Sequence, residues 1–237
     1  MPELVFENTR IEYSIVRSPR RRTIGIEITA DCRVLVRAPA HAAERRIDRL
    51  VRDKSPWILK NLLRMSTVRR TRRFIDGELL PYRGESYALK VALNRPAAYV
   101  ELMDGELRAY VASADSPDAL RTLVKEALLR WYRERAGEVL AKRVLELATQ
   151  TGLVPARVRI TNQAHRWGSC SAKRSLNLNW KLVMAPPEVA DYVIVHELCH
   201  IEVQKHSKKF WDFLGSLVPD YQAHRKWLRE NGPSLDL

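Results

Sequence analysis

The sequence predicts an α+β protein: an N-terminal antiparallel β-rich part with a helical insertion, then a C-terminal helical part carrying a short β-hairpin. Three observations lead there. Apolar residues recur at period two through residues 4–37 and again from Tyr87 to Leu107. Helical rhythms occupy residues 43–65 and, for longer, 118–149. Past residue 155 a strand pattern and a hairpin precede a run of helices. The Ser-, Asp- and Pro-containing stretch Ser113–Asp118 reads as the boundary, giving a basic β-rich subdomain over 1–112 and a second domain over 113–237.

Each element has its own warrant. Ile11, Tyr13 and Ile15, then Ile24, Ile26 and Ile28, then Val34 and Val36 alternate, with Ser18–Arg22 and Ala30-Asp31 between them as turns of an antiparallel meander. Ile47, Leu50, Val51, Ile58 and Leu62 follow a helical rhythm that Ser55-Pro56 interrupts, so two helices are expected. Arg69–Arg73 reads as an exposed connection. Asp104-Gly105 is a hairpin signal, because both residues tolerate the positive φ of a two-residue turn. Leu120, Val124, Leu128, Trp131, Leu140 and Leu147 give the long helix its apolar side, and Gly152 ends it. RWGSCSAKRSLNLNW reads as a hairpin turning at Ala172–Arg174. Pro187 suits the first position of the helix that follows, and Phe210–Val218 and Tyr221–Leu228 read as further helices closing the core.

Composition narrows the class. The 237 residues are 46% hydrophobic and 29% charged, which excludes disorder and fibrous repeats. No apolar run approaches the ~18 residues of a bilayer span, and the N-terminus lacks the apolar segment of a secretory signal. No membrane partner is therefore expected. Cys32, Cys170 and Cys199 are odd in number and scattered, which argues for a reducing, cytoplasmic setting. The net charge of +13 is uneven: residues 1–75 hold 18 basic and 8 acidic side chains, and Arg outnumbers Lys 30 to 11 overall. Guanidinium forks bind oxyanions in pairs, so this Arg-rich part suits a nucleic acid or nucleotide partner; a solvated basic surface is the plainer reading.

The chemistry lies in His196-Glu197-Leu198-Cys199-His200, an HExxH motif. On a helix, positions i and i+4 share a face, so both imidazoles can grip one Zn²⁺ while Glu197 takes a proton from metal-bound water. Val189, Tyr192, Val193, Val195 and Leu198 make this an apolar helix, where two His and a Glu would be costly without a partner. A catalytic zinc keeps three protein ligands and an open position. His206, six residues after His200, is the expected third, with Glu202, Asp212 and His224 as rivals. Metzincins place Gly where this chain has Val203, so the turn back must be made differently. His165, Tyr192, Tyr221, His224 and Arg225 are candidate oxyanion donors. His165 and Arg166 precede the hairpin and are candidate substrate contacts. Trp167 and Trp180 read as core, Cys170 as structural and His41 as a surface residue. The hairpin strand could alternatively pair with an extended peptide.

The stretch RWGSCSAKRSLNLNWKLVMAPPEVADYVIVHELCHIEVQKHSKKFW resembles the YgjP-like metallopeptidase domain family, relatives of SprT-like and WLM zincins. The likeness extends to SPRRRTIGIEI, RAPAHA and SPWILK in the N-terminal part. Cys199 departs from the small apolar residue more usual there. The resemblance implies a zincin-like fold for residues 113–237 and a metal-dependent hydrolase, commonly a peptidase. Its ligands would be His196, His200 and His206, its catalytic Glu would be Glu197, and its cofactor one Zn²⁺ or another divalent metal. A peptide or protein substrate is expected. Two other readings remain: a metal-dependent nucleotide phosphohydrolase, and a nucleic-acid-docked module with a structural metal. The chain has no P-loop or Rossmann glycine pattern, so the phosphohydrolase reading rests on charge.

Overall fold

The computed structural model describes residues 3–6, 9–29, 33–68, 72–93, 97–163 and 166–237. The Ala30-Asp31 turn, Cys32, Arg69–Thr71 of the basic run and His165 lie outside them. Two compact units divide the chain, residues 1–71 and 72–237.

In the first unit, β1 (Glu3–Phe6), β2 (Thr9–Ser18), β3 (Gly25–Ile28) and β4 (Val34–Pro39) form one sheet in the order β1-β2-β4-β3. The expected meander is corrected here. β2 and β4 run parallel, from Tyr13 beside Val34 to Ser18 beside Pro39, while β3 takes the edge, antiparallel to β4. Burial explains the swap: Val34, Val36 and Ala38 of β4 are fully covered, whereas every residue of β3 stays partly exposed. The centre of a sheet goes to the strand with most apolar surface to hide. The helical insertion forms as two helices, α1 (Glu44–Asp53) and α2 (Ser55–Val68). Pro56 sits in the first turn of α2, where its missing N–H costs nothing, and the Ser55 hydroxyl donates to the Val51 carbonyl at 2.9 Å. Ile47, Val51 and Ile58 close over Leu4, Ile11, Tyr13, Val34 and Val36 as a separate small core.

In the second unit, β5 (Leu79–Tyr82), β6 (Glu85–Ala92), β7 (Tyr99–Met103) and β8 (Glu106–Tyr110) form a sheet in the order β5-β6-β8-β7. These strands, placed with the N-terminal part on sequence grounds, belong to the later unit. Leu80, Tyr82, Leu89, Leu107 and Ala109 share one core with Val124, Leu128, Trp131 and Tyr132 of α3 (Pro117–Thr151), and the Tyr132 hydroxyl donates to the Pro81 carbonyl at 2.7 Å. The boundary therefore falls before this sheet. Asp104-Gly105 makes the expected hairpin turn, with φ of 52° and 77°. The Ser116 hydroxyl caps α3 through the Ala119 N–H, and Gly152 ends the helix in the left-handed region at φ 72°.

Beyond α3, β9 (Arg157–Thr161), β10 (Gly168–Cys170) and β11 (Ser175–Asn179) form a third sheet in the order β10-β11-β9, with β10 and β11 as the expected hairpin. A 3₁₀ turn (Trp180–Met184) leads to α4 (Pro187–Cys199), followed by α5 (Lys208–Leu217) and α6 (Tyr221–Asn231). No helix among the described residues is long and apolar enough to cross a membrane.

Candidate metal centre

α4 carries the motif and is anchored in its first turns. Pro187 opens it, with the Pro186 carbonyl accepting from the Val189 and Ala190 N–H groups at 3.0 and 3.1 Å. On α3, Arg143 grips both oxygens of Asp191 at 2.8 Å each and also reaches Glu146 at 2.6 Å. A planar guanidinium held in this way fixes the rotation of α4 as well as its position. Val189, Ile194 and Leu198 are buried in the core, and Val193 is buried at the margin of the cleft. The other side carries Tyr192, His196, Glu197 and His200 into a cleft of about 530 Å³.

The chain turns back after His200 without a glycine. Val203 donates its N–H to the Cys199 carbonyl at 2.9 Å, its φ is not positive, and the Gln204 side chain donates to the His200 carbonyl. The expected problem of a missing Gly at Val203 therefore does not arise. This turn also orients a ring: His200 Nδ1 lies 3.0 Å from the Val203 carbonyl. A carbonyl only accepts, so Nδ1 carries the proton and Nε2 keeps its lone pair.

One ring nitrogen from each of His196, His200 and His206 lies within 4.8 Å of the others. His196 Nε2 and His206 Nε2 face one another at 2.9 Å. Two neutral imidazole lone pairs repel at that distance, so a proton or a cation belongs between them. Phe210 forms the floor beneath the three rings, with centroids 4.9, 4.6 and 4.8 Å away. His206 is exposed, and Trp211 stacks on it at 5.5 Å. Trp211 is in turn stacked by Tyr221 at 5.5 Å, with the Arg225 guanidinium 4.9 Å from its ring. Burial, reinforced by the neighbouring His200 and His206, lowers the His196 imidazole to about 3, and burial lowers His206 as well. Both rings are neutral at physiological pH, the form in which imidazole binds metal. The buried Nδ1 of His196 has no hydrogen-bond partner among the described residues.

Glu197 is buried beside this cluster, 7% exposed, but is not one of the three converging groups. Burial pushes its carboxyl up to about 7, against the pull of Arg166 and a hydrogen bond from the Cys170 N–H. That places it in the range of a general base working near neutrality. Its room depends on Gly168: a Cβ there would lie 2.6 Å from Glu197 Cγ and 2.9 Å from Oε1. Gly168 is where β10 runs closest to α4. The loop before β10 is held by buried Asn179, whose amide donates to the Gln163 and Arg166 carbonyls at 2.8 and 3.0 Å.

The other candidates fall into place by their neighbours. Glu202 is exposed, Asp212 pairs with Lys208 at 2.7 Å, and His224 pairs with Asp220 at 3.0 Å. None of the three joins the histidine cluster. Tyr192 and Arg166 line the cleft. Tyr221 and Arg225 pack on Trp211. Trp180 is core, 2% exposed, whereas Trp167 is half-buried and lines the cleft against Gly232, so the core reading holds for only one of the pair. Cys170 also lines the cleft without joining the histidines, and burial raises its thiol. Burial pushes the Cys199 thiol up to about 12, so it packs as a small hydrophobe. His41 is exposed. The sequence reads Gly168 only as permitting close packing, without its neighbour, and is silent on Gln204 and Asn179. Only the Gly next to a buried catalytic-type Glu carried a signal, and it needed the β10–α4 pairing to be recognised.

His196 and His200 at the end of α4 and His206 from the turn that follows converge beside a buried Glu, a set that could hold a metal ion, as a metal-dependent hydrolase requires. The profile of the YgjP-like metallopeptidase domain matches residues 22–231, and the chain belongs to that family. Among curated proteins no match is found.

Proposed function

We propose that the chain is a zinc-dependent peptidase in which His196, His200 and His206 hold one Zn²⁺ ion and Glu197 is the general base. The convergence of three imidazole nitrogens beside a buried carboxyl carries this reading. The donor set fits a cation: His200 is oriented by the Val203 carbonyl, and the facing nitrogens of His196 and His206 leave a place for a shared proton or a metal ion. No fourth Cys, His, Asp or Glu among the described residues joins the group, which suits a catalytic rather than a structural zinc. When bound, the ion supplies Lewis acidity toward the substrate carbonyl and toward water.

The protein's own residues do the rest. Glu197 accepts the proton of the attacking water and returns it to the leaving amine. Tyr192, one turn ahead of His196 and kept protonated by burial that pushes its hydroxyl up to about 12, donates to the developing oxyanion. Among the described residues β10 pairs with β11 alone, and its residues Gly168, Ser169 and Cys170 line the cleft. An extended peptide laid along this edge gains main-chain hydrogen bonds that a nucleotide cannot match, which favours peptide over phosphate-ester substrates.

The test is a pair of variants loaded with zinc and assayed in parallel on an unfolded protein and on nucleoside triphosphates. Glu197→Gln should keep one zinc per chain and lose about 10²- to 10⁴-fold in peptide hydrolysis. His200→Ala should lose both metal and activity. Full peptidase activity in Glu197→Gln would exclude this mechanism. Triphosphate hydrolysis without peptide cleavage would move the substrate to the other class.

A further inference from the structure

We infer that the exposed face of α1 docks the phosphate backbone of a nucleic acid, a binding site separate from the histidine cleft and independent of the peptidase reading. α1 has only Ile47 and Val51 buried and Leu50 half-buried; its other seven residues, Glu44, Arg45, Arg46, Asp48, Arg49, Arg52 and Asp53, are exposed and charged. Two of the three carboxylates are drawn toward the sheet. Asp48 accepts from the Tyr13 hydroxyl at 2.5 Å, and Glu44 lies 3.9 Å from Arg17. Arg45, Arg46, Arg49 and Arg52 consequently make no ion pair among the described residues, although Asp48 and Asp53 lie three or four positions from several of them.

In the second unit the pattern is mixed: Arg121 pairs with Asp118, Arg135 with Glu138, Arg143 with Glu146 and Lys208 with Asp212, while Arg130, Lys142 and Lys226 make no ion pair among the described residues. On α1 tertiary contacts take up two of the three carboxylates, and four guanidiniums stand on its exposed face without an ion pair among the described residues. Arg45, Arg49 and Arg52 stand at i, i+4 and i+7, one stripe about 10 Å long at ~1.5 Å per residue. Phosphates rise by ~3.4 Å along one strand of a duplex, so the stripe spans about three of them. A second basic group adjoins its start. Arg17, at the end of β2, donates to the Ala40 and Ala42 carbonyls just ahead of α1, and the Arg20–Arg22 turn leaves the sheet at that end.

The chemistry favours nucleic acid over an anionic membrane. A membrane-surface helix needs an apolar face to insert, and that of α1 is spent on the core of its own unit. Arginine rather than lysine at all four positions gives the bidentate geometry that matches phosphate. Contacts of this kind read the backbone and carry no sequence preference.

The experiment is a salt titration of binding by the full chain to a fluorescent duplex oligonucleotide and to a single strand of the same length. Wild type should bind at low salt, with log affinity falling linearly in log salt. Arg45→Gln/Arg49→Gln/Arg52→Gln should weaken binding about tenfold or more and flatten the slope by about 2 to 3. The same positions changed to Lys should restore most of the affinity, which separates charge from loss of folding. No binding at low salt, an unchanged slope in the Gln variant, or tighter Arg-dependent binding to phosphatidylserine vesicles would overturn the inference.

Discussion

Gly168 and Glu197 show how much of the centre depends on single atoms. The Glu197 carboxyl occupies the space a β-carbon at residue 168 would take. Gly168→Ala should therefore move the general base without touching a metal ligand. The expected outcome is a loss in kcat of about 10²-fold with zinc content and unfolding midpoint near wild type, checked by metal analysis, steady-state kinetics and thermal denaturation. Trp211 offers the complementary case, because it stacks on the exposed His206 at 5.5 Å and meets His196 only at a tilted 5.9 Å. Trp211→Ala should weaken zinc binding about 10- to 100-fold in competition with a chelator, while one-turn spacing keeps His196 and His200 aligned. The ligand residues were legible in the sequence because i, i+4 spacing is a local property of a helix. Their supports were legible only in outline: Trp211 reads as packing behind the site and Gly168 as a close approach, but the partners of Gly168 and Asn179 come from other elements.

At the scale of elements, α4 is a helix whose chemistry is set by what surrounds it. Phe210 from α5 lies under all three imidazoles and is fully buried. Phe210→Ala should cost about 3–5 kcal/mol in denaturant unfolding of the second unit and loosen the metal site with it. Helices and hairpins were predictable where one local rule dominates: Ser116-Pro117 and Gly152 bracket α3, and Asp104-Gly105 makes its turn. The Arg83-Gly84 turn between β5 and β6 has the same positive φ values, 52° and 84°, without the Asp or Asn that advertises it. It is held from outside, by Arg83 and Gly84 N–H bonds to the Val183 and Met184 carbonyls. Strand order likewise escaped the sequence. Alternation reveals which face of β3 and β4 is apolar, but the choice of the central strand is made by burial across the whole sheet.

For the whole molecule, two separate cores mean two units whose stabilities need not move together. The division at residues 71/72 was hidden because β5–β8 alternate as β1–β4 do, and only their shared core with α3 shows where they belong. All three histidines lie in the second unit, so zinc should raise the unfolding temperature of that unit alone, by about 4 kcal/mol of stabilisation at 1,000-fold excess over the dissociation constant. Differential scanning calorimetry with zinc and with chelator checks this, the earlier unit serving as internal control. The central claim is that three imidazoles hold a cation and leave one position to solvent. X-ray absorption on the zinc-loaded protein tests it most directly. Three imidazole nitrogens and one oxygen in the coordination shell is the predicted result; a sulfur ligand from Cys170, or fewer than three imidazoles, would contradict it.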